Sequence, residues 1–532
     1  MDARHQTVVV ADDGDTGPEH RDIGPSGALD GRAPDAASDV RTEDPAVPVS
    51  GSRRGEQVAI FGFALIAGQA LSAATTPFFT RALGPADFGA LDVLTVAGTF
   101  LATLLLVGLD QAVVRSFYDD RSLAAQRRLV SSGFICATLT GVVGCALVLP
   151  FRNQVADLLL GSSGFEPVLL ATLIGVPPFI GAAYMAEVLR LQGCPRPYAI
   201  SSVLRAVAGC AVAAWLVLVV HAGAEGALLG LAAGSLVALG YDVVMARRLL
   251  RPVVARRPLG HMLRFGLPLV PTGVALWSLM VADRLILVHY VSLRQIGIYA
   301  LAAKIAVLLL WAVNGFRAGW TASVIELHGR DREEATRRRS AALVDALAVA
   351  VGMAAVIGAL AAELTAVGGG PYFGSAVRII PILLAALVLF STTSVTQSAM
   401  LIRCRTGVMA RHTAIAAVLN LLACLLLVPI WGIVGAGLAT LVGFAYLSGS
   451  FYVSAQRMDR MPYRPLQAAV VAAIVLPFLA LGQFMIGPLV FSIAVKLACL
   501  SILPALLRRA GVACPRVSEF VALIRHRVSS GS

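Results

Sequence analysis

Charge is scarce in this sequence and lysine is nearly absent. Only 14% of the 532 residues are charged against 58% hydrophobic, and Lys304 and Lys496 are the only lysines. So little charge cannot cover the surface of a soluble protein of this size. Also missing are a glycine-rich phosphate loop, a nucleophile elbow and any CxxC pair among the eight cysteines. Those absences remove the usual sequence marks of nucleotide, esterase and zinc chemistry. The cysteines sit mostly inside apolar runs, where they read as small hydrophobes, and the histidines lie mainly in tails and loops. No metal and no cofactor is expected. The first fifty residues ("VVVADDGDTGPEHRDIG" and its flanks) lack a basic start and an apolar core. They read as a disordered acidic tail rather than a signal peptide.

What the chain has is long apolar runs. Each can cross a hydrocarbon core of roughly 30 Å as a helix. Fourteen spans are expected: 57–80, 88–112, 129–150, 167–189, 198–220, 226–246, 265–288, 295–317, 340–363, 377–401, 408–429, 433–454, 466–485 and 488–507. The net charge of +12 does not point to nucleic acid, because the arginines cluster in every second link between spans. Arg53 and Arg54, Arg121 to Arg128, Arg247 to Arg264, Arg330 to Arg339 and Arg457 to Arg464 fall on one side. The other side carries little more than Arg81, Arg152, Arg294 and Arg378. This asymmetry predicts a multi-pass protein with both termini in the cytoplasm. Its arginine- and alanine-rich composition suggests a bacterial plasma membrane.

An internal repeat is legible. "LGPADFGALDVL" (83–94) aligns with "VSLRQIGIYALA" (291–302), setting Gly89 against Gly297 at an offset of 208. "HAGAEGALLG" (221–230) aligns with "IWGIVGAGLA" (430–439) at an offset of 209. An offset spanning an even number of helices predicts parallel repeats about an axis along the membrane normal. The expected fold is all-α: about 14 transmembrane helices, in two six-helix lobes around a central cavity, plus two C-terminal helices. The divisions are an acidic cytoplasmic tail (1–54), an N-lobe (55–250), a basic cytoplasmic linker (251–264) and a C-lobe (265–456). Spans thirteen and fourteen (466–507) and a basic cytoplasmic tail (508–532) follow.

Charges inside the spans carry the functional signal, since each costs about 2.5–3.5 kcal/mol at the bilayer centre on insertion scales. "SLMVADRLILVHY" places Asp283 and Arg284 in span seven, and Lys304 falls in span eight. Neighbours on a helix point about 100° apart, so Asp283 is expected to pair across to Lys304, leaving Arg284 for a ligand. Trp277 and Trp311 share helical stripes with Arg284 and Lys304. A cation beside an indole face suits a ligand with a phosphate and a sugar. Gln69, Ser72, Thr76 and Thr80 form a polar stripe on span one, and Arg205 is a further candidate cation in span five. Asp92, Asp110 and Glu187 need no role beyond an interface.

The block "FGLPLVPTGVALWSLMVADRLILVHYVSLRQIGIYALAAKIAVLLLWAVNGFRAGW" (265–320) resembles the Wzx-type oligosaccharide flippases of the polysaccharide transport family, relatives of lipid II flippases and MATE exporters. The matching positions are Gly266, Pro268, Pro271, Asp283, Arg284, Gly297, Tyr299 and Lys304. The resemblance implies a V-shaped fold of the MOP superfamily that moves polyprenyl-pyrophosphate-linked oligosaccharides from the inner to the outer leaflet by alternating access. It implies that Arg284 and Lys304 neutralise the pyrophosphate while Asp283 positions them or joins in ion coupling. Implied partners are the lipid-linked glycan, membrane lipids, H+ or Na+ as coupling ion, and a polysaccharide polymerase or assembly machinery, with no nucleic acid. A drug/cation antiporter is the alternative, and it would rely on acidic cavity groups. A membrane glycosyltransferase or polymerase needs a large outer loop, and the longest link on that side is 151–167. A scaffold would have no use for buried charges.

Overall fold

The computed structural model describes residues 51–509 apart from 162–164, 194, 329–331, 404 and 459–464. Side chains of 51–73, 316–341, 401, 402 and 465–469 also lie outside the described residues, as do the two tails, 1–50 and 510–532. Among the described residues there are helices and tight turns and no strand. A helix is the one open-ended structure that satisfies its own backbone in lipid.

The first helix, Gly51–Leu105, bends at Gly84, where φ is 72° and ψ is 173°. Pro85 enforces the bend, because its ring bars the preceding residue from helical angles and its missing N–H suits the start of a new helix. The two arms are α1 (51–83) and α2 (85–105). Next come α3 (Leu123–Leu160), α4 (Glu166–Leu191), α5 (Pro195–Leu218), α6 (Gly223–Met245) and α7 (Arg256–Val281). They are followed by α8 (Leu293–His328), α9 (Arg332–Ala359) and α10 (Ile380–Ile402). Thr406–Met458 bends at Gly432, with φ 55° and ψ −128°, giving α11 (406–431) and α12 (433–458). The chain closes with α13 (465–481) and α14 (Leu489–Arg509). Among the described residues eleven helices are long and apolar enough to cross a membrane; the two glycine bends each divide one, and the shorter apolar helix Val470–Leu481 completes the expected fourteen.

The repeat is built into the backbone. A Cβ on Gly89 would lie 2.0 Å from the carbonyl oxygen of Leu293, and one on Gly297 would lie 2.0 Å from that of Pro85. Pro85 and Leu293 are themselves 208 residues apart, so the starts of α2 and α8 meet in a reciprocal contact related by the repeat. The second pair behaves alike: Gly223 and Gly432, 209 apart, both hold a left-handed φ, 53° and 55°, at corresponding turns. Only glycine takes these conformations without strain.

Two six-helix bundles result. In the first, α6 packs on α4 and α5; in the second, α10 packs on α9, α11 and α12. The seam between them is formed by α1 and α2 against α7 and α8. Links alternate between two ends. The end holding residues 117–122, 192, 193 and 246–255 is arginine-rich, and the end holding 84, 219–222, 288–292, 370–379 and 482–488 is arginine-poor.

The last two helices fasten to the second bundle through α9. A Cβ on Gly482 would stand 1.6 Å from the Gly358 carbonyl oxygen, so only glycine allows that approach. Beyond it, on the short helix Ala361–Gly369, Glu363 pairs with Lys496 of α14 at 2.8 Å, the two 2% and 0% exposed. Lys496 Nζ also donates to the Phe484 carbonyl at 2.8 Å, and Ser492 Oγ donates to Glu363. One of the two lysines is therefore a structural pin.

Candidate functional site

The seam is an antiparallel zip of α2 against α7. At the arginine-rich end a Cβ on Gly108 would be 2.6 Å from the Gly266 carbonyl oxygen, and Gly273 faces Thr103 Cγ2, with a Cβ there 3.7 Å away. Further along, Trp277 Nε1 donates to Thr99 Oγ1 at 3.2 Å and its ring lies against Phe100 at 4.6 Å. Two turns on, Arg284 Nε donates to Asp92 Oδ2 at 3.3 Å. The seven-residue step from Trp277 to Arg284 along one segment is matched by the step from Thr99 back to Asp92 on α2. That matching defines the register.

Asp283 does not pair with Lys304. It accepts from Arg284 Nη1 at 2.8 Å and from the Tyr299 hydroxyl, while the guanidinium lies 5.1 Å from the Tyr299 ring centroid. The cause is a break at Ala282: α7 ends at Val281, a new turn starts at Asp283, and Leu285 N–H bonds to the Ala282 carbonyl at 3.0 Å. In this tighter turn the long arginine stem folds back onto its neighbour's carboxylate. Asp283 and Arg284 are 3% and 8% exposed. Arg284 is thus held by two carboxylates and an aromatic face, one of the carboxylates from the opposite bundle, and is not left open for a ligand as the sequence suggested. Asp92, read as an interface residue, is its cross-seam partner.

Lys304 stands apart from this cluster. It is surface-accessible, its Nζ lies 5.0 Å from the Phe88 ring centroid, and no salt bridge to it forms among the described residues. Trp311 is half-buried with its Nε1 buried and unpartnered. Thr76 is 9% exposed and its carbonyl accepts from Thr80 Oγ1 at 3.1 Å. Gln69 is on the helical backbone of α1, but its side chain is outside the described residues.

Arg205 is on the wall of a half-open cavity of about 360 Å³ in the first bundle, lined by α2, α4, α5 and α6. Tyr198, Ser202, Thr95, Thr99 and Cys210 share that wall. Thr99 is also the acceptor of the Trp277 bond, so the cavity abuts the seam. Behind Arg205, on α6, Asp242 is fully buried and makes no hydrogen bond of good geometry, while Ser201 and Arg205 lie close enough to act on it electrostatically. Tyr198 and Asp242 carried no sequence signal, because their meeting with Arg205 depends on how three helices face one another. Glu187 pairs with Arg190 and Asp110 accepts from Gln111, in keeping with local roles.

The arrangement offers two cations, Arg205 and Lys304, without a salt bridge among the described residues, and a third, Arg284, used to tie the bundles together. If the tie works as the geometry indicates, Asp92→Asn keeps Arg284 on Asp283 but loosens the seam. A hydrogen bond to a charged group is worth about 1.5–3 kcal/mol, roughly tenfold or more in the closed-to-open ratio. Cys210 in the cavity wall is then alkylated correspondingly faster, as site-resolved mass spectrometry can read. An unchanged rate would mean the pair contributes nothing to closure.

Among known proteins, the model of a family described as polysaccharide biosynthesis protein matches residues 78–317. No curated protein matches the sequence. Among solved structures, a lipid II flippase, MurJ, in an inward closed conformation superposes with a TM-score of 0.70 at 15% identity, covering 85% of this chain and 99% of that one. An inward-facing multidrug resistance MATE transporter of the MOP superfamily gives 0.60 at 15% identity, covering 76% and 96%. A MOP-superfamily transporter from Pyrococcus furiosus, whose binding pocket is described as having reverse polarity and suggesting a different function, gives 0.53 at 13% identity, covering 78% and 96%. At such identities the likeness is one of fold.

Proposed function

We propose that this chain, a multi-pass membrane protein with the fold of the MOP-superfamily flippases and transporters, moves polyprenyl-pyrophosphate-linked oligosaccharide units across the plasma membrane for cell-surface polysaccharide synthesis. The observation that carries the reading is the cavity beside the seam, where Arg205 stands with the hydroxyls of Tyr198, Ser202, Thr95 and Thr99 in an otherwise largely apolar wall. Its volume falls in the range of ligand pockets, and guanidinium beside hydroxyls matches phosphate oxygens followed by sugar. The polysaccharide family over 78–317 supports the same ligand class. A cationic drug would find no carboxylate in the cavity lining. The Pyrococcus furiosus relative shows that pocket polarity differs within this fold.

In this reading the arginine-rich end faces the cytoplasm, with both termini inside. Arg205 and Lys304 take the pyrophosphate, and Trp277, freed from Thr99 as the bundles part, offers its ring to the sugar. Arg284 keeps Asp283 throughout and exchanges Asp92 for water in the open state.

The test is a strain lacking the gene, scored for lipid-linked oligosaccharide on each leaflet. Wild type clears the inner leaflet. The double variant Arg205→Gln/Lys304→Gln, expressed at normal level, fails to clear it, with flux down at least about 10-fold for the lost charge-assisted bonds. Unchanged lipid-linked sugars together with altered susceptibility to cationic drugs would replace this reading with the antiporter.

A further inference from the structure

Four arginines fall at the arginine-poor end, and one of them, Arg152, is paired with Glu166. Two of the others, Arg81 at the end of α1 and Arg294 at the start of α8, line a single cavity of about 520 Å³. They come from opposite bundles, so the cavity straddles the seam. No carboxylate is part of its lining, which is completed by Thr80, the Gly84–Pro85 bend and the turn at Gly370. The nearest acid along the chain, Asp87, is not among the lining residues, and its Oδ2 lies 3.8 Å from where a Cβ on Gly223 would stand. Arg294 makes no hydrogen bond or salt bridge among the described residues. Among the described residues Arg81 donates only to the Val367 carbonyl, at 3.1 Å across the seam.

The backbone adds to the positive field. The Gly89–Gly297 contact holds the starts of α2 and α8 side by side, and Pro85 and Arg294, at those starts, both line the cavity. The N-terminal dipoles of both helices therefore point toward the same end as the two guanidiniums. At the mouth, the Tyr372 ring is 66% exposed. Two guanidiniums, two helix starts, an aromatic face and no acid make a receptor for a phosphate group with a sugar or glycerol beside it.

We propose that this cavity is a second anion site, at the arginine-poor mouth of the seam, that binds a phosphate-bearing head group. Resting on the proposed function, its occupant is the pyrophosphate of the lipid-linked sugar as it emerges; a phospholipid head group of the facing leaflet offers the same chemistry. Binding is coupled to opening. With the seam closed, Arg81 is spent on Val367 and Thr80 Oγ1 donates to the Gly368 carbonyl. A phosphate that takes over the Arg81 guanidinium removes one of these two bonds between the bundles. The same anion that must leave thus weakens the contact that shuts the door behind it.

The probe is inorganic pyrophosphate, titrated by calorimetry into the full-length protein in phosphatidylcholine nanodiscs. The reference is Arg205→Gln/Lys304→Gln, which silences the cavity of the proposed function and isolates the mouth. Adding Arg81→Gln and Arg294→Gln to that reference is expected to weaken the remaining binding by about 10-fold per arginine. Both side chains are exposed, so melting temperature should not move. Repeating the titration in phosphatidylglycerol nanodiscs separates the sources: competition identifies a phospholipid head group, and undiminished binding identifies the pyrophosphate of the cargo. Equal pyrophosphate affinity with and without Arg81 and Arg294 overturns the proposal. If instead Arg205→Gln/Lys304→Gln changes nothing while Arg81→Gln/Arg294→Gln abolishes binding, the mouth site stands and the inner site of the proposed function falls.

Discussion

Gly297→Ala, and equally Gly89→Ala, should stop transport in a protein that still folds. The added Cβ would sit 2.0 Å from a backbone carbonyl oxygen of the facing helix. Ordinary carbon–oxygen contact needs more than an ångström beyond that, and neither α2 nor α8 has a flexible side chain to move aside. Overpacking of this kind costs about 1–3 kcal/mol when a core must absorb it, and here the seam can simply stay parted. Alanine favours the helix over glycine by about 0.8–1.0 kcal/mol, so each bundle should form normally. The expected phenotype is wild-type yield and a monodisperse purified protein, with flux down about 10-fold or more and Cys210 alkylated faster than in wild type. Because both methyl groups would intrude on one contact, the double variant should be little worse than either single one. Wild-type flux in Gly297→Ala would mean that the bundles never meet at this point during the cycle.

Lys496→Ala is expected to damage the fold itself. It strands the Glu363 carboxylate at 2% exposure with only Ser492 as partner. Removing one member of a buried pair typically costs about 3–5 kcal/mol, whereas replacing both members with neutral groups of similar size is often close to neutral. Thermal unfolding in detergent should therefore fall sharply for Lys496→Ala and for Glu363→Ala, and recover in Glu363→Gln/Lys496→Met. The recovered double variant should also transport, because this pair fastens α14 to the helix Ala361–Gly369 and neither of its residues bonds across the seam. If the double variant melts as badly as the single ones, shape rather than charge is what the site requires.

The contrast between these two sites explains how much could be read in advance. Helices were legible because an apolar run long enough to span a bilayer has one structure available to it. The repeat was legible because its glycines are demanded by backbone approach, which no other residue satisfies, and the matched offsets of 208 and 209 record it. Pairing was not legible. Whether Asp92 meets Arg284 depends on the register of two helices distant in sequence, and whether Asp283 can reach Arg284 depends on a break at Ala282 that neither glycine nor proline announces. Glu363 fell at the last residue of an expected span, where a charge reads as interfacial, and the return of α14 past it is a tertiary event. Arg205 was flagged from its depth alone. The surrounding hydroxyls became a site only when α2, α4, α5 and α6 were brought together.

On the proposed function, the protein carries a lipid-linked anionic sugar from one leaflet to the other. The most direct measurement uses proteoliposomes loaded with polyprenyl-pyrophosphate-linked oligosaccharide and an externally added glycosidase that cannot cross the membrane. With the wild-type protein the pool protected in the inner leaflet should become accessible, while in vesicles holding Gly297→Ala it should stay protected. Protection that persists equally with wild-type protein, under a proton gradient of either sign, would contradict the account.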